Sequence, residues 1–518
     1  MWRIAVLVGL FYLATLRTGH DWGDDFALYI QHARNIAAHV PYAATGYIYN
    51  PHNPAIGPRT YPPGFPVLLA PVIAVFGLEL QPMKVVVVLC FLGALLLLSR
   101  VFQRNLPPLY RAALILVMGL NPYFWDFKDH VLSDIPFLFF TLLSLYAFQR
   151  AAQADRRSLT YGAVAGIATA AAIATRALGV MILPAFIASD VLRWRRVQRE
   201  TALACGIPIA VLLLQYVVGA QDGSYFDTLT ITPAAMGRNV VEYLRALSDI
   251  WENGYADVGR KLTFLVTVGL AAFGYLRALR SGATVLELFP VLYAIPVMLW
   301  PAYQGTRFLI PLIPFYLYYC LLGIRGLETA LAPRRHVALA FLAIVVLVYG
   351  ARYSTLRYGP LPDGVAAPES VELFRFVKQN TAPQDIFVFS KPRALALFTG
   401  RRASASFTPN DPCRLWRYFT EIGATYVITG PGGVDPEAAY LERFVTRYPQ
   451  ALVRVMGNRT LAVYRIVGDP CSRGRIGPGG LSSLQNCLGP ARGSVGSIPT
   501  RSRHNELTFS PAGHNPMI

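Results

Sequence analysis

Two adjacent acids follow the first apolar run of the chain: Asp24 and Asp25, in His20-Asp-Trp-Gly-Asp24-Asp25-Phe-Ala-Leu-Tyr29-Ile-Gln-His32-Ala-Arg34. A third, Asp134, opens a later apolar run in Lys128-Asp-His-Val-Leu-Ser-Asp134-Ile-Pro136. A carboxylate held where lipid meets water can act as a general base toward a hydroxyl, provided its geometry and pKa suit the task. Each acid also has an ordinary use. Asp24 and Asp25 favour the positive end of an amphipathic helix, and Asp134 two residues before Pro136 suits a helix start. On the residues alone both uses stand.

Two cations sharpen the choice. Arg176 interrupts an apolar stretch of about residues 159–189, and Arg307 stands in Trp300-Pro-Ala-Tyr303-Gln304-Gly-Thr-Arg307-Phe-Leu-Ile-Pro311. An arginine at membrane depth needs an anionic partner. That partner is either a structural aspartate or a bound phosphate, which a guanidinium grips bidentately. His20, His32 and His52 share the first loop, but no two of them have the i, i+4 spacing of a helical zinc pair. No zinc site is expected and no cofactor is implied, while a divalent ion shared by Asp25 and Asp134 stays open.

The elements that must position these residues are membrane helices. Of 518 residues, 54% are apolar and only 15% charged, against roughly 25% charged in soluble domains, and mean hydropathy is +0.40. Apolar runs fall at about 2–17, 83–100, 111–125, 135–149, 158–175, 177–193, 201–219, 262–280, 283–300, 308–326 and 337–353, most approaching the roughly 20 residues needed for a span. The run Phe65 to Leu78 contains Pro71 and suits an interfacial helix better. With that run lying along the membrane, the loops bearing Arg100/Arg104, Arg150/Arg156/Arg157, Arg193/Arg195/Arg196/Arg199, Arg277/Arg280 and Arg325/Arg334/Arg335 all fall on one side. The positive-inside rule makes that side the cytoplasm. It also accounts for the net charge of +18 without nucleic acid. The reading is an α-helical polytopic protein of about 11 spans, N-terminus inside, with long outer loops at about 18–82 and 220–261. Arg176, Arg307 and the three acids then share the outer face.

Residues 1–355 thus form a transmembrane module. Residues 360–467 change character and read as a small periplasmic α/β domain. It has helical spacing at Val371, Phe374 and Val377, strands at 385–390 and 424–429, a helix at 440–448, and a hairpin of 452–455 with 461–466. Six cysteines are too few and too scattered for a disulfide framework. Residues 468–518 are rich in Gly, Ser, Pro and Arg and are expected to be disordered. The stretch 491–501 resembles a conceptual translation through a transfer-RNA gene, so the tail reads as a spurious extension and is assigned no function.

Asp25-x-x-x-Tyr29 with Ala33-Arg34, Tyr61-Pro-Pro-Gly-Phe-Pro66, and Arg307-Phe-Leu-x-Pro311-x-x-Pro314, in that order, resemble the bacterial GT-C glycosyltransferases. These include protein O-mannosyltransferase-like enzymes and lipid A aminoarabinose transferases. The resemblance covers about residues 1–467. It implies a polyprenyl-phosphate sugar donor, a lipid, glycan or protein acceptor, and catalysis by the acid of the first outer loop. Many members carry Asp-Glu there, whereas this chain has Asp24-Asp25-Phe26, so Asp25 maps onto that acid with Asp24 as the alternative. Tyr29, Arg34, Asp134, Arg176, Tyr303 and Arg307 become the expected substrate-binding residues. Transfer in one displacement, with Asp25 opposite the departing phosphate, inverts the sugar. A transporter or flippase of lipid-linked saccharides is the second reading, although no internal repeat is visible. An oligosaccharide polymerase or ligase is the third.

Overall fold

The computed structural model describes residues 1–153, 158–218, 232–300, 303–330, 336–430 and 436–471. The expected tail from 472 onward lies outside them, as do Arg156, Arg157, Arg334 and Arg335. The chain is a multi-pass membrane protein. Leu80–Val101, Asp134–Ala152, Ala177–Trp194, Asp257–Arg280 and Val337–Thr355 are long and apolar enough to cross a bilayer. Trp2–Ala14, Gly64–Phe76, Pro108–Gly119, Leu159–Thr175 and Val285–Leu299 are shorter apolar helices.

Three of the expected runs are broken, and in each the break has a local cause. The run at 111–125 stops at Gly119, and Asn121 caps a separate helix Pro122–Phe127 by accepting the Tyr123 N–H. The run at 177–193 starts as a 3-10 turn, Ala177–Met181. The run at 308–326 is a 3-10 turn, Gly305–Leu309, followed by the helix Ile313–Ala330, and Pro311 between them has no N–H to continue a helix. The last two breaks follow or contain Arg176 and Arg307, so both arginines sit where backbone leaves the regular helical ladder.

Helices pack through small residues, as membrane bundles do. Gly274 and Gly323 bring Asp257–Arg280 and Ile313–Ala330 backbone to backbone: a Cβ on Gly274 would stand 2.0 Å from the Tyr319 carbonyl oxygen. Gly64 does the same at the head of Gly64–Phe76, where a Cβ would lie 2.7 Å from the Ala174 carbonyl, two residues before Arg176. Ahead of the paired acids, the buried Lys84 ammonium donates to the carbonyls of Arg17 (2.6 Å) and Gly19 (2.7 Å), and Arg17 pairs with Asp126 and Asp129. That brace fixes the chain as it leaves Trp2–Ala14.

The C-terminal α/β region is built on a six-stranded sheet in the order β1-β3-β2-β4-β6-β5. The strands are β1 (Tyr47–Ile48), β2 (Ile386–Val388), β3 (Arg402–Ser404), β4 (Tyr426–Thr429), β5 (Leu452–Gly457) and β6 (Ala462–Ile466). Strands β1 to β4 pair in parallel, while β6 runs antiparallel to β4 and to β5. Helices Pro368–Asn380, Pro392–Thr399, Pro412–Ile422 and Pro436–Arg447 alternate with the strands. The sheet is not confined to 360–467. Its edge strand β1 comes from the first loop, with Tyr47 beside Ala403 and Ile48 beside Ser404. Asn50 and Asn53 extend the seam by donating to the carbonyls of Ala405 (2.7 Å) and Ser406 (2.8 Å).

One disulfide, Cys413–Cys471, was not apparent from cysteine spacing, because its partners are 58 residues apart and meet only once the sheet is formed. It ties the chain beyond β6 to the Pro412–Ile422 helix, so order extends past 468 to at least Cys471.

Gly64→Ala should force Gly64–Phe76 away from Leu159–Thr175. Overpacking of this kind costs about 1–3 kcal/mol, so thermal unfolding in detergent should shift downward. An unchanged melting temperature would mean the two helix ends are not in the contact described.

Candidate active site

Asp24 precedes the helix Asp25–Ala37 and Asp25 opens its first turn. Phe26, Ala27, Ile30 and Ala33 are wholly buried and anchor the helix. A second helix begins at the same place. Backbone N–H groups of Arg393 (3.0 Å) and Ala394 (3.1 Å), in the first turn of Pro392–Thr399, donate to Asp24 Oδ1. Two positive helix ends therefore meet around the paired acids, an arrangement that favours anions.

From Asp25 the charges run in strict alternation. Its Oδ1 accepts from the Tyr61 hydroxyl at 2.6 Å and from Arg393 Nη1 at 3.2 Å; its Oδ2 accepts from Arg307 Nη1 at 2.9 Å. Arg307 Nη2 donates to Asp134 Oδ2 at 3.2 Å, and Asp134 Oδ1 is held by Arg176. The order is Arg393, Asp25, Arg307, Asp134, Arg176. Asp134 and Arg393 are each 1% exposed, Arg307 12% and Arg176 14%, whereas the Asp25 side chain is 27% exposed, so Asp25 is the member a reactant reaches most readily. Among the described residues the Arg307 Nε is buried without a hydrogen-bond partner, and Asp24 Oδ2 has only the Arg393 Nε at 3.6 Å, an ion pair too long for a hydrogen bond. Unsatisfied buried groups of this kind call for an explanation.

The two neighbouring acids are driven in opposite directions. Burial pushes the Asp24 carboxyl up, and the facing Arg393 and Lys391 offset that only in part, leaving it at about 6. Burial also pushes Asp25 up, but Arg307 and Arg393, with the Tyr61 hydroxyl, outweigh it and hold it at about 2. Asp25 is therefore ionised at neutral pH and well supplied with donors.

The expected site residues divide. Asp24, Asp25, Asp134, Arg176 and Arg307 come together. Tyr29, one turn beyond Asp25, packs its ring against Tyr61 (4.9 Å between centroids) and Phe65 (5.3 Å), and its hydroxyl meets Ser133 Oγ at 2.8 Å. Arg34 is elsewhere. Nine residues along a helix place it on the opposite face from Asp25 and about 13 Å further along, where it lines an exterior groove of about 610 Å³ with Lys378, Leu397 and Phe398. Tyr303 packs on Tyr243 (5.2 Å), and no hydrogen bond joins it to the charge cluster among the described residues.

Two members were not singled out from sequence. Tyr61 was visible as the first residue of the Tyr61-Pro-Pro-Gly-Phe-Pro66 motif, with no role given to its hydroxyl. Arg393 lies in the C-terminal region, 346 residues after Tyr47 in the strand beneath it, with its guanidinium over the Tyr47 (4.7 Å) and Tyr61 (5.0 Å) rings. The available clue was an arginine at the head of an otherwise apolar helix, Pro392-Arg393-Ala-Leu-Ala-Leu-Phe398.

The Asp25 and Asp134 carboxylates, weighed above as a shared ion site, are bridged here by the Arg307 guanidinium. His20, Asp21 and His130 also lie within 4.8 Å of one another. His20 Nε2 accepts the Val131 N–H at 3.0 Å, so its ring proton is on Nδ1, facing Asp21 Oδ1 at 2.7 Å. This trio is a hydrogen-bonded link between the first loop and the 128–131 segment.

Residues 60–218 match the family described as dolichyl-phosphate-mannose-protein mannosyltransferase. No curated protein sequence matches the chain. Solved structures are similar too, among them the following three. ArnT from Cupriavidus metallidurans bound to undecaprenyl phosphate is 14% identical, with a TM-score of 0.53 over 89% of this chain and 96% of that one. The archaeal oligosaccharyltransferase AglB from Archaeoglobus fulgidus, in complex with an inhibitory peptide and a dolichol-phosphate, is 12% identical, with a TM-score of 0.52 over 82% and 69%. Arabinofuranosyltransferase AftD from Mycobacteria is 13% identical, with a TM-score of 0.51 over 90% of this chain and 41% of that one. At such identities the likeness is one of fold, and the chain has the GT-C fold of multi-pass membrane glycosyltransferases.

Proposed function

We propose that the protein is an inverting glycosyltransferase that moves a sugar from a polyprenyl phosphate to an acceptor hydroxyl at the outer face of the inner membrane. The observation that carries this reading is the reachable Asp25 beside an arginine, Arg307, whose Nε has no hydrogen-bond partner among the described residues. The phosphate-bearing lipids in the ArnT and AglB structures support a lipid-phosphate donor here.

In the reaction the bond between the anomeric carbon and the phosphate oxygen breaks, and its electron pair leaves with the phosphate. The acceptor oxygen bonds to the same carbon from the opposite face and gives its proton to Asp25. Arg307 and Arg176 meet the charge growing on the phosphate, and fixed donors of this kind act strongly where water is excluded. Asp134 holds both guanidiniums in place until donor arrives. With three donors on its carboxylate, Asp25 is a weak base. A phosphate that draws Arg307 toward itself removes one of them, so donor binding raises the basicity of Asp25 when it is needed. Asp24 serves differently: it anchors the helix that delivers Arg393.

Outer placement rests on two arguments. The loop arginines concentrate on the opposite side across about 11 spans, with the N-terminus inside. Disulfides such as Cys413–Cys471 persist in oxidising compartments. A cysteine at the exposed Gln379 should react with a membrane-impermeant maleimide in intact spheroplasts. Labelling only after lysis would reverse the orientation.

Asp25→Asn keeps the side-chain shape but takes no proton, and loss of a positioned base typically costs about 10²–10⁴-fold in rate. Transfer by purified Asp25→Asn protein should fall accordingly, with size-exclusion behaviour unchanged. A rate within about tenfold of wild type would move the base role to another group.

The pH dependence of unfolding separates the two acids. Asp25 sits at about 2 when folded and roughly 3.9 when unfolded, so its contribution is present above roughly pH 4 and lost as pH falls toward 2. Asp24, raised to about 6, does the reverse: its ionisation costs stability as pH rises from roughly 4 through 6. Relative to wild type, Asp24→Asn should flatten the pH 4–6 interval and Asp25→Asn the pH 2–4 interval. Interchanged intervals would swap the environments assigned to them.

A further inference from the structure

His32 is fully buried, and the proposed reaction does not use it. It lies seven residues beyond Asp25 on the same helix, which puts both side chains on one face. Its imidazole is engaged on three sides. Nε2 accepts the backbone N–H of Tyr61 at 3.2 Å. The ring proton is therefore on Nδ1, which donates to the Tyr42 carbonyl at 2.9 Å. The Tyr42 ring stacks on the imidazole, 4.0 Å between centroids and 8° from parallel. Tyr42 then closes the loop, because its hydroxyl donates to the Tyr61 carbonyl at 2.8 Å. Both backbone polar groups of Tyr61 are thus held by the His32–Tyr42 pair. Asn35, one turn further on, keeps Tyr42 in place by donating to the carbonyls of Pro41 (3.2 Å), Tyr42 (3.1 Å) and Ala44 (3.0 Å).

What this clamp aims is the Tyr61 hydroxyl. It donates to Asp25 Oδ1 at 2.6 Å and accepts from Arg393 Nη1 at 2.8 Å. Oδ1 is therefore tied to groups that stay put, whereas Oδ2 is tied to Arg307, the arginine shared with the phosphate site. We infer that His32 is a positioning residue that, through Tyr61, pins Asp25 Oδ1 and reserves Oδ2 as the oxygen that takes the acceptor proton. The task suits a neutral imidazole. It needs a flat side chain that accepts at one edge, donates at the other and can be stacked upon. Burial pushes the His32 pKa down to about 4, so the neutral ring prevails at physiological pH.

The inference rests on the glycosyltransferase reading, and the test separates the two. Sugar transfer is measured with purified His32→Ala, His32→Gln, Tyr61→Phe and the His32→Ala/Tyr61→Phe double variant. His32→Ala should lower kcat about tenfold to a hundredfold with donor KM little changed, as small misplacements of a reacting group do. His32→Gln, whose amide oxygen can accept the Tyr61 N–H, should recover much of the loss. In the Tyr61→Phe background His32→Ala should add less than about twofold, the non-additivity of residues acting through one contact. A normal kcat for His32→Ala, a loss confined to KM, or the same factor with and without Tyr61 would overturn the inference.

Should His32→Ala not fold, His32→Gln is compared with His32→Asn, which reaches only the Tyr42 carbonyl. Equal turnover by the two would then count against the Tyr61 link. Carbodiimide labelling of Asp25 near pH 5, read by mass spectrometry, needs no turnover. Loosening Tyr61 removes a donor from the carboxylate, so labelling should quicken in the His32 variants. If wild type transfers no sugar, the glycosyltransferase reading fails by itself, and unchanged labelling would separately reject the role of His32.

Discussion

One guanidinium, Arg307, is shared by two carboxylates that come from separate parts of the chain, Asp25 in the first loop and Asp134 at the start of a long helix. Burying any one of these charges alone costs several kcal/mol, and removing one partner of a buried pair typically costs about 3–5 kcal/mol. The cluster therefore persists only because every member is paired in turn: Arg393 with Asp25, and Arg176 with Asp134. This condition disciplines the surrounding fold. Arg176 must sit at the end of Leu159–Thr175, and the Gly64 contact sets the helix Gly64–Phe76 against that end. Arg307 must leave the helical ladder in the 3-10 turn Gly305–Leu309.

The same condition makes the C-terminal α/β region part of the site. Strand β1, Asn50 and Asn53 stitch the first loop to that region, and the helix Pro392–Thr399 is thereby presented end-on to the paired acids. Its first-turn amides take Asp24 and its arginine takes Asp25. Two adjacent aspartates consequently have different lives. One is desolvated against a helix end and drifts toward neutrality; the other is held ionised by guanidiniums and a phenol yet remains reachable. In the proposed reaction an anion competing for Arg307 would relieve the tension between that firm hold and the need for a base.

Much of this was legible in the sequence where charge contradicted its surroundings. Arg176 and Arg307 stand out because they interrupt apolar runs, and Asp24, Asp25 and Asp134 stand out as acids at the same depth. The reading failed where that contrast is lost. In a region of soluble character Arg393 is one cation among many, and nothing local says it is buried. Tyr61 shows in sequence only as part of a motif, because its hydroxyl partner lies 36 residues away. Arg34 was grouped with Asp25 by nearness in sequence, although nine helical residues rotate it to the opposite face. The run at 111–125 read as one helix because hydropathy is blind to Asn121 capping and Pro122. Strand β3 and the Cys413–Cys471 pair depend on contacts that no local pattern records.

The central claim is that Arg307 is held in trust between carboxylates for a lipid phosphate. The most direct measurement is a cryo-electron microscopy structure of the full chain in lipid nanodiscs with undecaprenyl phosphate. The phosphate should lie within hydrogen-bonding distance of Arg307, including its Nε, and of Arg176, with at least one Arg307–carboxylate contact broken. A phosphate bound elsewhere, with the pairs to Asp25 and Asp134 intact, would contradict the claim.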